Sequence, residues 1–261
     1  MPRYEEVARD LRERIESGEY QAGGKLPRYE ELTRAFGVGR GVISEAIAVL
    51  EREGLVRPVK RRGIVVLERL GRRRIRRGQL VMRDPQRGYV FPAASHPGEP
   101  WEVHGRPVRD YVPTPDRVAE LLNTPPGTPT LRRRRITSPA GEPPFQLVDT
   151  WLSAEAVRDA PQVGEITTGP GGYLDRLEEA GHGPISWIEF TRTRMPSREE
   201  SAALEISPEM PILETAIVGT SAQTSNVLEV TIRAIPADRV ELVTELRRGD
   251  GASWPTERIQ S

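Results

Sequence analysis

The sequence predicts two domains, an N-terminal winged helix-turn-helix over residues 1–67 and a C-terminal α+β domain over residues 87–247. The first prediction rests on three helical patterns followed by two short β-runs. The second rests on longer β-runs that alternate with short helices, which is typical of an antiparallel sheet with helices packed on it. The arginine-rich stretch 68–86 predicts a basic linker, and residues 248–261, which lack periodicity, predict a flexible tail.

The first two predicted helices each have an apolar stripe and an end signal. The first ends at Ser17-Gly18, and its stripe consists of Tyr4, Val7, Ala8, Leu11 and Ile15. The second follows Pro27, where a fixed φ is tolerated. Gly37 is placed to end it in a left-handed conformation, so that the chain reverses tightly. The residues that we expect the second helix to bury are Leu32, Ala35 and Phe36.

The third predicted helix has the pattern of a recognition helix. Its inward positions at helical spacing are Ile43, Ala46, Ile47 and Leu50. This leaves an exposed N-terminal end formed by Gly39, Arg40, Gly41, Ser44 and Glu45. That end of a recognition helix meets base edges in the major groove. After the helix, residues 56–59 and 64–67 predict a hairpin wing whose basic tip consists of Lys60, Arg61, Arg62 and Gly63.

Positive charge is concentrated in the N-terminal part of the chain. Residues 1–83 hold 20 Lys and Arg against 12 Asp and Glu, whereas the remaining residues hold 18 against 26. Ten basic side chains and one acid, Glu68, lie between Arg57 and Arg77. Such clusters displace condensed counterions from phosphates, and no apolar helix face accompanies this one. The pattern therefore predicts double-stranded DNA, and not a membrane, as the partner.

The composition argues against several classes of protein. The chain has no cysteine, which excludes disulfides, a thiol nucleophile and a thiolate metal site. Its three histidines, His96, His104 and His182, show no metal-ligand spacing, and we expect each to be a surface or turn residue. No apolar run is long enough to span a membrane and no signal-peptide core begins the chain, so we expect a cytoplasmic protein. We expect no metal, no cofactor and no catalytic residues.

Seven β-runs and three helices are predicted after the linker. The β-runs are 108–112, 130–137, 145–152, 187–195, 212–220, 227–235 and 240–246. The second and third should form a hairpin, because a turn signal, Ser138-Pro-Ala-Gly-Glu142, separates them. The helices are 114–123, which we expect Thr114 to cap, then 172–180, and one through Leu204 in which Ser197 and Glu200 form a capping box.

The N-terminal block resembles the GntR family of bacterial transcription regulators. The matching residues are Tyr4, Gly18-Glu19-Tyr20, Leu26-Pro27, Glu31-Leu32, Phe36-Gly37-Val38, Arg40, Glu45-Ala46, Leu50-Glu51, Glu53-Gly54-Leu55-Val56 and Gly63. The resemblance implies that Arg40 reads DNA. The family usually has Ser-Glu-Arg where this chain has Arg28-Tyr29-Glu30, a further helix-three arginine is replaced by Ser44, and hydroxyl positions are replaced by Gly39 and Gly41. The family's base preference is therefore not carried over, and Arg28 is a candidate to supply the missing charge.

The C-terminal block is similar to the UTRA effector domain of the HutC subgroup, whose fold is chorismate-lyase-like. The matching residues are Arg87-Gly88-Tyr89, Ala119-xx-Leu122, Gly127-Thr-Pro-Thr-Leu131, Arg133-x-Arg135, Gly141-Glu142-Pro143, Leu174-xx-Leu177, Pro211-Ile-Leu213 and Val227-Leu-Glu229-Val230. The resemblance implies that Arg133, Arg135 and Glu229 line an effector pocket. Converging guanidiniums suit an anionic or polar group. For each of the three, a structural ion pair remains an equal alternative, and a further family acid is replaced by Val148.

The two resemblances together imply a ligand-responsive transcription regulator. We expect a homodimeric repressor on a pseudo-palindromic operator, released by a small-molecule effector. Arg40 is the candidate for guanine contact, and the candidates for phosphate contact are Arg28, Tyr29, Lys60 and Arg62. The sequence leaves two alternatives, a lyase-like enzyme fused to a DNA-binding head and a non-sensing DNA-binding protein. No nucleophile elbow, phosphate loop or metal cluster supports the enzyme.

Overall fold

The computed structural model describes residues 2–59, 63–67, 72–78, 80–84, 88–91, 99–246 and 248–249. Lys60, Arg61 and Arg62 of the predicted wing tip lie outside the described residues, as do nearly all of the predicted tail and parts of the predicted linker. No helix of the described chain has both the length and the apolar character that a membrane span requires.

The N-terminal domain is a winged helix-turn-helix, as predicted. Its three helices are α1 (Arg3–Glu16), α2 (Tyr29–Phe36) and α3 (Arg40–Arg52). The wing is an antiparallel hairpin of β1 (Val56–Val59) and β2 (Gly63–Val66). Lys25 forms a β-bridge with Val65, so the strand β2 lies between β1 and the segment before α2.

One apolar cluster holds the three helices and the wing together. Its helical members are Val7, Ala8, Leu11, Leu32, Ile43, Ala46, Ile47 and Leu50, and the wing adds Val56, Ile64 and Val66. Gly37 ends α2 with φ of 62°, the left-handed conformation predicted for it. The prediction for Ala35 is wrong, because this residue is exposed. The core side of α2 is centred on Leu32 and Phe36, and Ala35 lies about 100° round the helix from Phe36.

The C-terminal domain contains a six-stranded antiparallel sheet with the strand order β6-β7-β8-β11-β10-β9. The strands are β6 (Trp101–Pro113), β7 (Pro129–Pro139), β8 (Gln146–Leu152), β9 (Ile185–Arg194), β10 (Ile212–Ser221) and β11 (Val227–Pro236). The predicted hairpin is confirmed, because β7 pairs with β8 from Leu131 opposite Leu152 to Thr137 opposite Gln146. The predicted strand 108–112 is the second half of β6, which bends at an irregularity between His104 and Val108.

Four short helices cover the two faces of this sheet. They are α4 (Asp116–Leu122), α5 (Ala154–Asp159), α6 (Gly172–Leu177) and α7 (Arg198–Leu204). Helices α4 and α7 pack on one face, through Val118 against Trp151 and Leu204 against Leu147. Helices α5 and α6 pack on the other, where Ala156 and Leu177 share an apolar cluster with Leu131, Leu152 and Leu228. We call these the α4/α7 face and the α5/α6 face.

Two of the predicted helix starts can be compared with the structure. The capping box of α7 is confirmed, because Ser197 Oγ accepts from the Glu200 N–H while the Glu200 carboxylate accepts from the Ser197 N–H. Thr114 does not cap α4, since Pro115 is the residue before the first turn. The Thr114 hydroxyl instead donates to the Thr128 carbonyl at 2.6 Å, which ties the start of α4 to the loop before β7.

The stretch predicted as a linker contributes two strands to the C-terminal domain. β3 (Arg73–Arg76) pairs in parallel with β12 (Val240–Val243), and β4 (Met82–Asp84) pairs with β5 (Gly88–Val90). Ile75 explains the first pairing, because it is buried among Phe145, Leu213, Ile235 and Val240. Ile75 is a single apolar residue between arginines, so the sequence shows no alternating apolar pattern that would predict a strand here. The parts of 68–86 that the structure describes are therefore paired strands and not an independent linker.

Candidate DNA-binding surface and effector site

The N-terminal end of α3 and the start of α2 form one exposed surface. Gly39 is the N-cap of α3, Arg40 is its first residue, and both are exposed. The Arg40 guanidinium lies over the Tyr29 ring, 5.5 Å from its centroid. Arg28, also exposed, precedes α2 and donates its backbone N–H to the Glu31 carboxylate at 2.7 Å. The structure thus brings together Arg28, Tyr29 and Arg40, three of the residues predicted to contact DNA.

Two glycines in this surface have no conformational reason to be glycine. A Cβ built on Gly39 or Gly41 would meet no heavy atom of the described chain within 4 Å, and both residues have ordinary backbone angles for a side chain. Small residues are expected where another backbone approaches closely. Ser44 is exposed one turn further along α3, beside Glu45. In the wing, Gly63 is exposed with φ of 93°, a conformation that favours glycine.

The arginines beyond the wing lie against acidic residues of the C-terminal domain. Arg73 makes ion pairs with Glu99 and Glu142, Arg77 with Glu189, Arg74 with Glu241 and Arg76 with Glu245. Arg72 donates to the backbone carbonyl of Asp238 at 3.3 Å. Much of the basic run that the sequence assigned to a phosphate-binding surface therefore fastens β3 to the sheet domain.

The predicted effector residues lie on the α5/α6 face, in three adjacent rows across the sheet. The first row is Leu131, Leu152, Glu229, Gly219 and Trp187. The second row is Arg109, Arg133, Thr150, Thr231, Ile217 and Glu189. The third row is Arg135, Val148, Arg233, Thr215 and Thr191. Arg133, Arg135 and Glu229 are thus on the same face, within one row of each other, and we call this three-row area the polar patch.

Glu229 is the buried acid of the polar patch. It is 1% exposed, and burial raises its pKa to about 7, although hydrogen bonds from Thr231 and Tyr173 act in the opposite direction. Thr231 Oγ1 donates to Glu229 Oε2 at 2.7 Å. Glu229 Oε1 and Trp187 Nε1 are buried without a hydrogen-bond partner among the described residues. A Cβ on Gly219 would lie 2.9 Å from the first and 3.2 Å from the second, so both polar atoms converge above this glycine.

The arginines of the polar patch lack carboxylate partners among the described residues. Arg133 donates to the backbone carbonyls of Val163 and Glu165 and stacks on Tyr173. Burial, and then the charge of Arg109, lowers the pKa of Arg133 to about 10. Arg135 is exposed. None of the three predicted effector residues, Arg133, Arg135 and Glu229, forms an ion pair within the described chain. Arg133 nevertheless has a structural role, because it binds two backbone carbonyls.

The run Arg132 to Arg135 alternates between the two faces, because successive residues of a strand point to opposite sides of the sheet. Arg132 pairs with Asp110 at 2.8 Å and Arg134 with Asp149 at 2.7 Å, both on the α4/α7 face. Val148 stands between Arg135 and Arg233 in the third row of the polar patch. The acid adjacent to Val148, Asp149, is therefore on the wrong face to neutralise these two arginines.

Sequence reasoning missed three members of the polar patch. Arg233 is one, and burial together with the charge of Arg135 lowers its pKa to about 10. The others are Tyr173, whose pKa is raised by burial and then by Glu229, and Trp187. The signal for Arg233 was present, because a residue four positions after Glu229 on one strand points to the same face. Tyr173 gave no such signal, since α6 reaches the sheet only through tertiary packing.

A winged helix with an exposed basic recognition end, joined to a separate sheet domain, defines a helix-turn-helix regulator. The model of bacterial regulatory proteins of the gntR family matches residues 3–66, and the UTRA domain model matches residues 108–241. The chain therefore belongs to the GntR family and is a transcriptional regulator with a UTRA domain.

Relatives and solved structures agree with this assignment. The chain is 28% identical to the HTH-type transcriptional regulator RB1450 of Rhizobium meliloti, over 93% of this chain and 94% of that one. It is 26% identical to SCO4628 of Streptomyces coelicolor, over 97% and 91%. A crystal structure of a GntR-family transcriptional regulator matches with 25% identity and a TM-score of 0.55, covering 95% of this chain and 99% of that chain. The Exu regulon transcriptional regulator of Escherichia coli is 45% identical over 64 residues, 24% of this chain and 25% of that one.

Proposed function

We propose that this regulator is a homodimeric repressor that binds a pseudo-palindromic operator and releases it when a small anionic effector occupies the polar patch. The observation that carries the DNA-binding part is the surface at the start of α3, where the half-buried Tyr29 lies beside the exposed Arg28 and Arg40. A twofold dimer places two such surfaces on two half-sites. The direction of regulation, repression, is the family expectation.

Within each half-site, Arg40 reads a guanine through O6 and N7. Its place as first residue of α3 and its stacking on Tyr29 hold the guanidinium at the end of the helix that enters the groove. Gly39 offers no side chain to cap α3, so no capping side chain competes for the N–H groups of the first turn. These groups can donate to an approaching phosphate. Arg28 and Tyr29 contact the backbone, as do Lys60 and Arg62 of the wing, with Gly63 forming the bend of its tip.

The effector that fits the polar patch carries negative charge. Arg135 and Arg233 have no carboxylate partner among the described residues, and burial already disfavours the charged form of Arg233. An anionic group between them would supply the missing counter-charge. Glu229, with its pKa near 7, is protonated in a large fraction of molecules at neutral pH and can donate to the same ligand.

The effector signal passes through β3 and the contacts between the two domains. β3 is part of the sheet domain through its pairing with β12, and it precedes the polar patch in the chain. The N-terminal domain, which we call the head, contacts the C-terminal sheet domain through two ion pairs. They join Arg57 to Glu205 at 3.4 Å and Arg52 to Glu209 at 3.5 Å. Exposed pairs of this kind are weak, so a modest difference in effector affinity between two arrangements is enough to change the spacing of the heads.

The experiment that tests the DNA-binding proposal compares Arg40→Ala with the wild-type chain. An operator is first selected from random duplexes, and binding is then measured by fluorescence anisotropy at one salt concentration. We expect Arg40→Ala to lose about 1–3 kcal/mol of specific binding and to relax the preference at one base pair of each half-site.

The matched control for this experiment is Arg74→Ala, an exposed arginine of β3 that is outside the head. It should retain the specificity of the wild-type chain. If Arg40→Ala weakened selected and random duplexes by the same factor, Arg40 would be a phosphate contact and the base-reading role would be wrong. A footprint without twofold symmetry would contradict the dimeric arrangement.

A further inference from the structure

A cluster of metal-ligating side chains lies where α5 meets the single π-helical turn Glu178–His182, outside the two surfaces described above. Glu155 and Asp159 are four residues apart on α5, so their carboxylates lie on one side of the helix. His182 faces them from the turn. One ligand atom from each of these three residues lies within 4.8 Å of the other two. The sequence predicted neither α5 nor its contact with His182, so this cluster follows from the tertiary structure alone.

The imidazole of His182 is buried with both nitrogens directed at carboxylates. Its side chain is 5% exposed, and Nε2 lies 3.3 Å from Asp159 Oδ2 while Nδ1 lies 4.0 Å from Glu155 Oε1. Neither ring nitrogen makes a hydrogen bond of normal geometry within the described chain. A buried polar atom without a hydrogen-bond partner is unfavourable, because it has lost its contacts with water, so the arrangement needs a reason. His182 was expected to be a surface or turn residue, but it is buried at the end of a π-helical segment.

We propose that Glu155, Asp159 and His182 bind a divalent transition-metal ion, with Zn²⁺ as the probe of first choice. One imidazole nitrogen and two carboxylate oxygens form a ligand set that suits first-row ions, and Zn²⁺ accepts three such ligands and a water. Tetrahedral Zn²⁺ with bonds of about 2.0–2.1 Å separates its ligand atoms by about 3.3 Å. The distance from His182 Nε2 to Asp159 Oδ2 already has this value, and a Glu155 oxygen lies within 4.8 Å of a ligand atom of each of the other two residues.

The surroundings of Glu155 provide both orientation and access for an ion. Asn226 Nδ2 donates to Glu155 Oε2 at 2.7 Å, which leaves Oε1 directed at His182. Such partners orient the ligands of metal sites. Glu155 and Asn226 also line a cavity of about 590 Å³ between α4, α5 and the turn after β10. An ion can therefore reach the cluster from this cavity, and the buried surroundings of His182 need not open.

Arg158 is a charged neighbour that opposes metal binding. Its Nε lies 2.8 Å from Asp159 Oδ1 and its Nη2 lies 3.2 Å from Asp159 Oδ2. The side chain is 68% exposed, so it can turn to solvent when a cation arrives. This position supplies a sharp test, because removal of Arg158 should tighten metal binding. A purely structural contact between His182 and the two carboxylates predicts no metal binding in the wild-type chain or in any variant.

The test is isothermal titration calorimetry of the untagged full chain with ZnCl₂ after treatment with EDTA and dialysis. We expect one saturable site per chain. Glu155→Gln and Asp159→Asn should each weaken its affinity about tenfold to a hundredfold, whereas Arg158→Gln should strengthen it. Zn²⁺ should also raise the melting temperature of the wild-type chain and not that of Asp159→Asn. The absence of cysteine means that no thiolate competes for the ion.

The matched controls are Glu102→Gln and His104→Gln, an acid and histidine pair of β6 whose Oε1 and Nε2 atoms are 3.9 Å apart. These should leave the Zn²⁺ affinity unchanged. His182→Gln removes the buried ligand, and if it fails to fold, the two acid variants carry the test. An absence of saturable binding, or affinities that are equal in the wild-type chain and the acid variants, would overturn the proposal. In either case the operator and effector proposals stand, because they rest on other residues.

Discussion

The strand β7 places arginines on both faces of the six-stranded sheet, and the contacts of these arginines differ between the two faces. On the α4/α7 face, Arg132 and Arg134 of β7 are each held by an aspartate of a neighbouring strand. On the α5/α6 face, Arg133 contacts backbone carbonyls and Arg135 has no carboxylate partner among the described residues. One run of four arginines therefore supplies both a structural network and a cluster of uncompensated positive charge.

The same contrast holds for the acids of the two faces. On the α4/α7 face, burial alone would raise the pKa of Glu214, but hydrogen bonds from Arg192 and Arg194 outweigh it and hold that pKa below its ordinary value. On the α5/α6 face, burial dominates and the pKa of Glu229 rises to about 7. The difference shows that residues of the same type form ion pairs where an oppositely charged partner is within reach, and that burial determines their pKa where it is not.

The largest expected effect comes from breaking a pair on the α4/α7 face. Arg134 and Asp149 are 15% and 14% exposed, and Arg134 also pairs with Glu199. Arg134→Met leaves a largely buried aspartate without its partner, so we expect the free energy of unfolding to fall by about 3–4 kcal/mol in urea denaturation.

The control for Arg134→Met is an exposed pair of the same kind. Arg74 and Glu241 are 73% and 51% exposed, and Arg74→Met should change the free energy of unfolding by less than about 0.5 kcal/mol. Equal losses in the two variants would remove the distinction between a buried network and a solvated pair.

The second prediction concerns pH and the α5/α6 face. The pKa of Glu229 is raised from 4.5 to about 7, so the stability linked to this group is fully present below pH 4.5 and is lost as the pH rises through 7. Glu229→Gln lacks this titration. Relative to the variant, the wild-type chain should lose up to about 3 kcal/mol of unfolding free energy between about pH 4.5 and about pH 8.

The pH prediction is measured by urea denaturation of both proteins at several pH values across that window. Glu200 and Glu214, whose pKa values are lowered, contribute stability that is lost as the pH falls, and both remain in the variant. The difference between the two curves therefore isolates Glu229. Parallel curves would show that Glu229 ionises normally and that burial does not control it.

The smallest effect on stability is expected for Arg233 of the α5/α6 face. Burial lowers its pKa to about 10, and its described contact is the ring of Phe91 at 5.9 Å. Arg233→Met removes a desolvated charge that makes no ion pair or hydrogen bond with a carboxylate of the described residues, so the free energy of unfolding should stay within about 1 kcal/mol of the wild-type value.

Arg233→Met should nevertheless remove the response to anions. We expect inorganic phosphate to raise the melting temperature of the wild-type chain, and this rise should be lost in the variant. Arg192→Met, on the other face, is the control and should keep it. A large loss of stability in Arg233→Met, with the phosphate response intact, would mean that this arginine is structural and that the two faces are alike.

The N-terminal domain was predicted more completely than the sheet domain, for a physical reason. Each helix of the head buries a periodic stripe, and the turn at Gly37 depends on one residue, so the pattern is local. The exception is Ala35, which was placed in the core and is exposed. In the sheet domain, the six strands of the main sheet were predicted at least in part, but β3 and β4 were placed in the linker and α5 was not predicted. Ile75 of β3 is buried only through contacts with residues that come much later in the chain, so no local pattern marks it.

The candidate sites divide in the same way. Arg40 and its exposed neighbours follow from the position of α3 in the chain, and Arg133 and Arg135 share a face because alternate strand residues do. Arg233, Trp187 and the meeting of His182 with Glu155 required the register of the sheet and the packing of α5.

The sequence by itself determined the order of the elements, the recognition end of the head and the alternation of the β7 arginines, because these depend on residues close together in the chain. Only the tertiary structure decided which of those charges are paired. An ion pair needs two groups within a few ångströms, and here the partners of one strand come from residues tens of positions away.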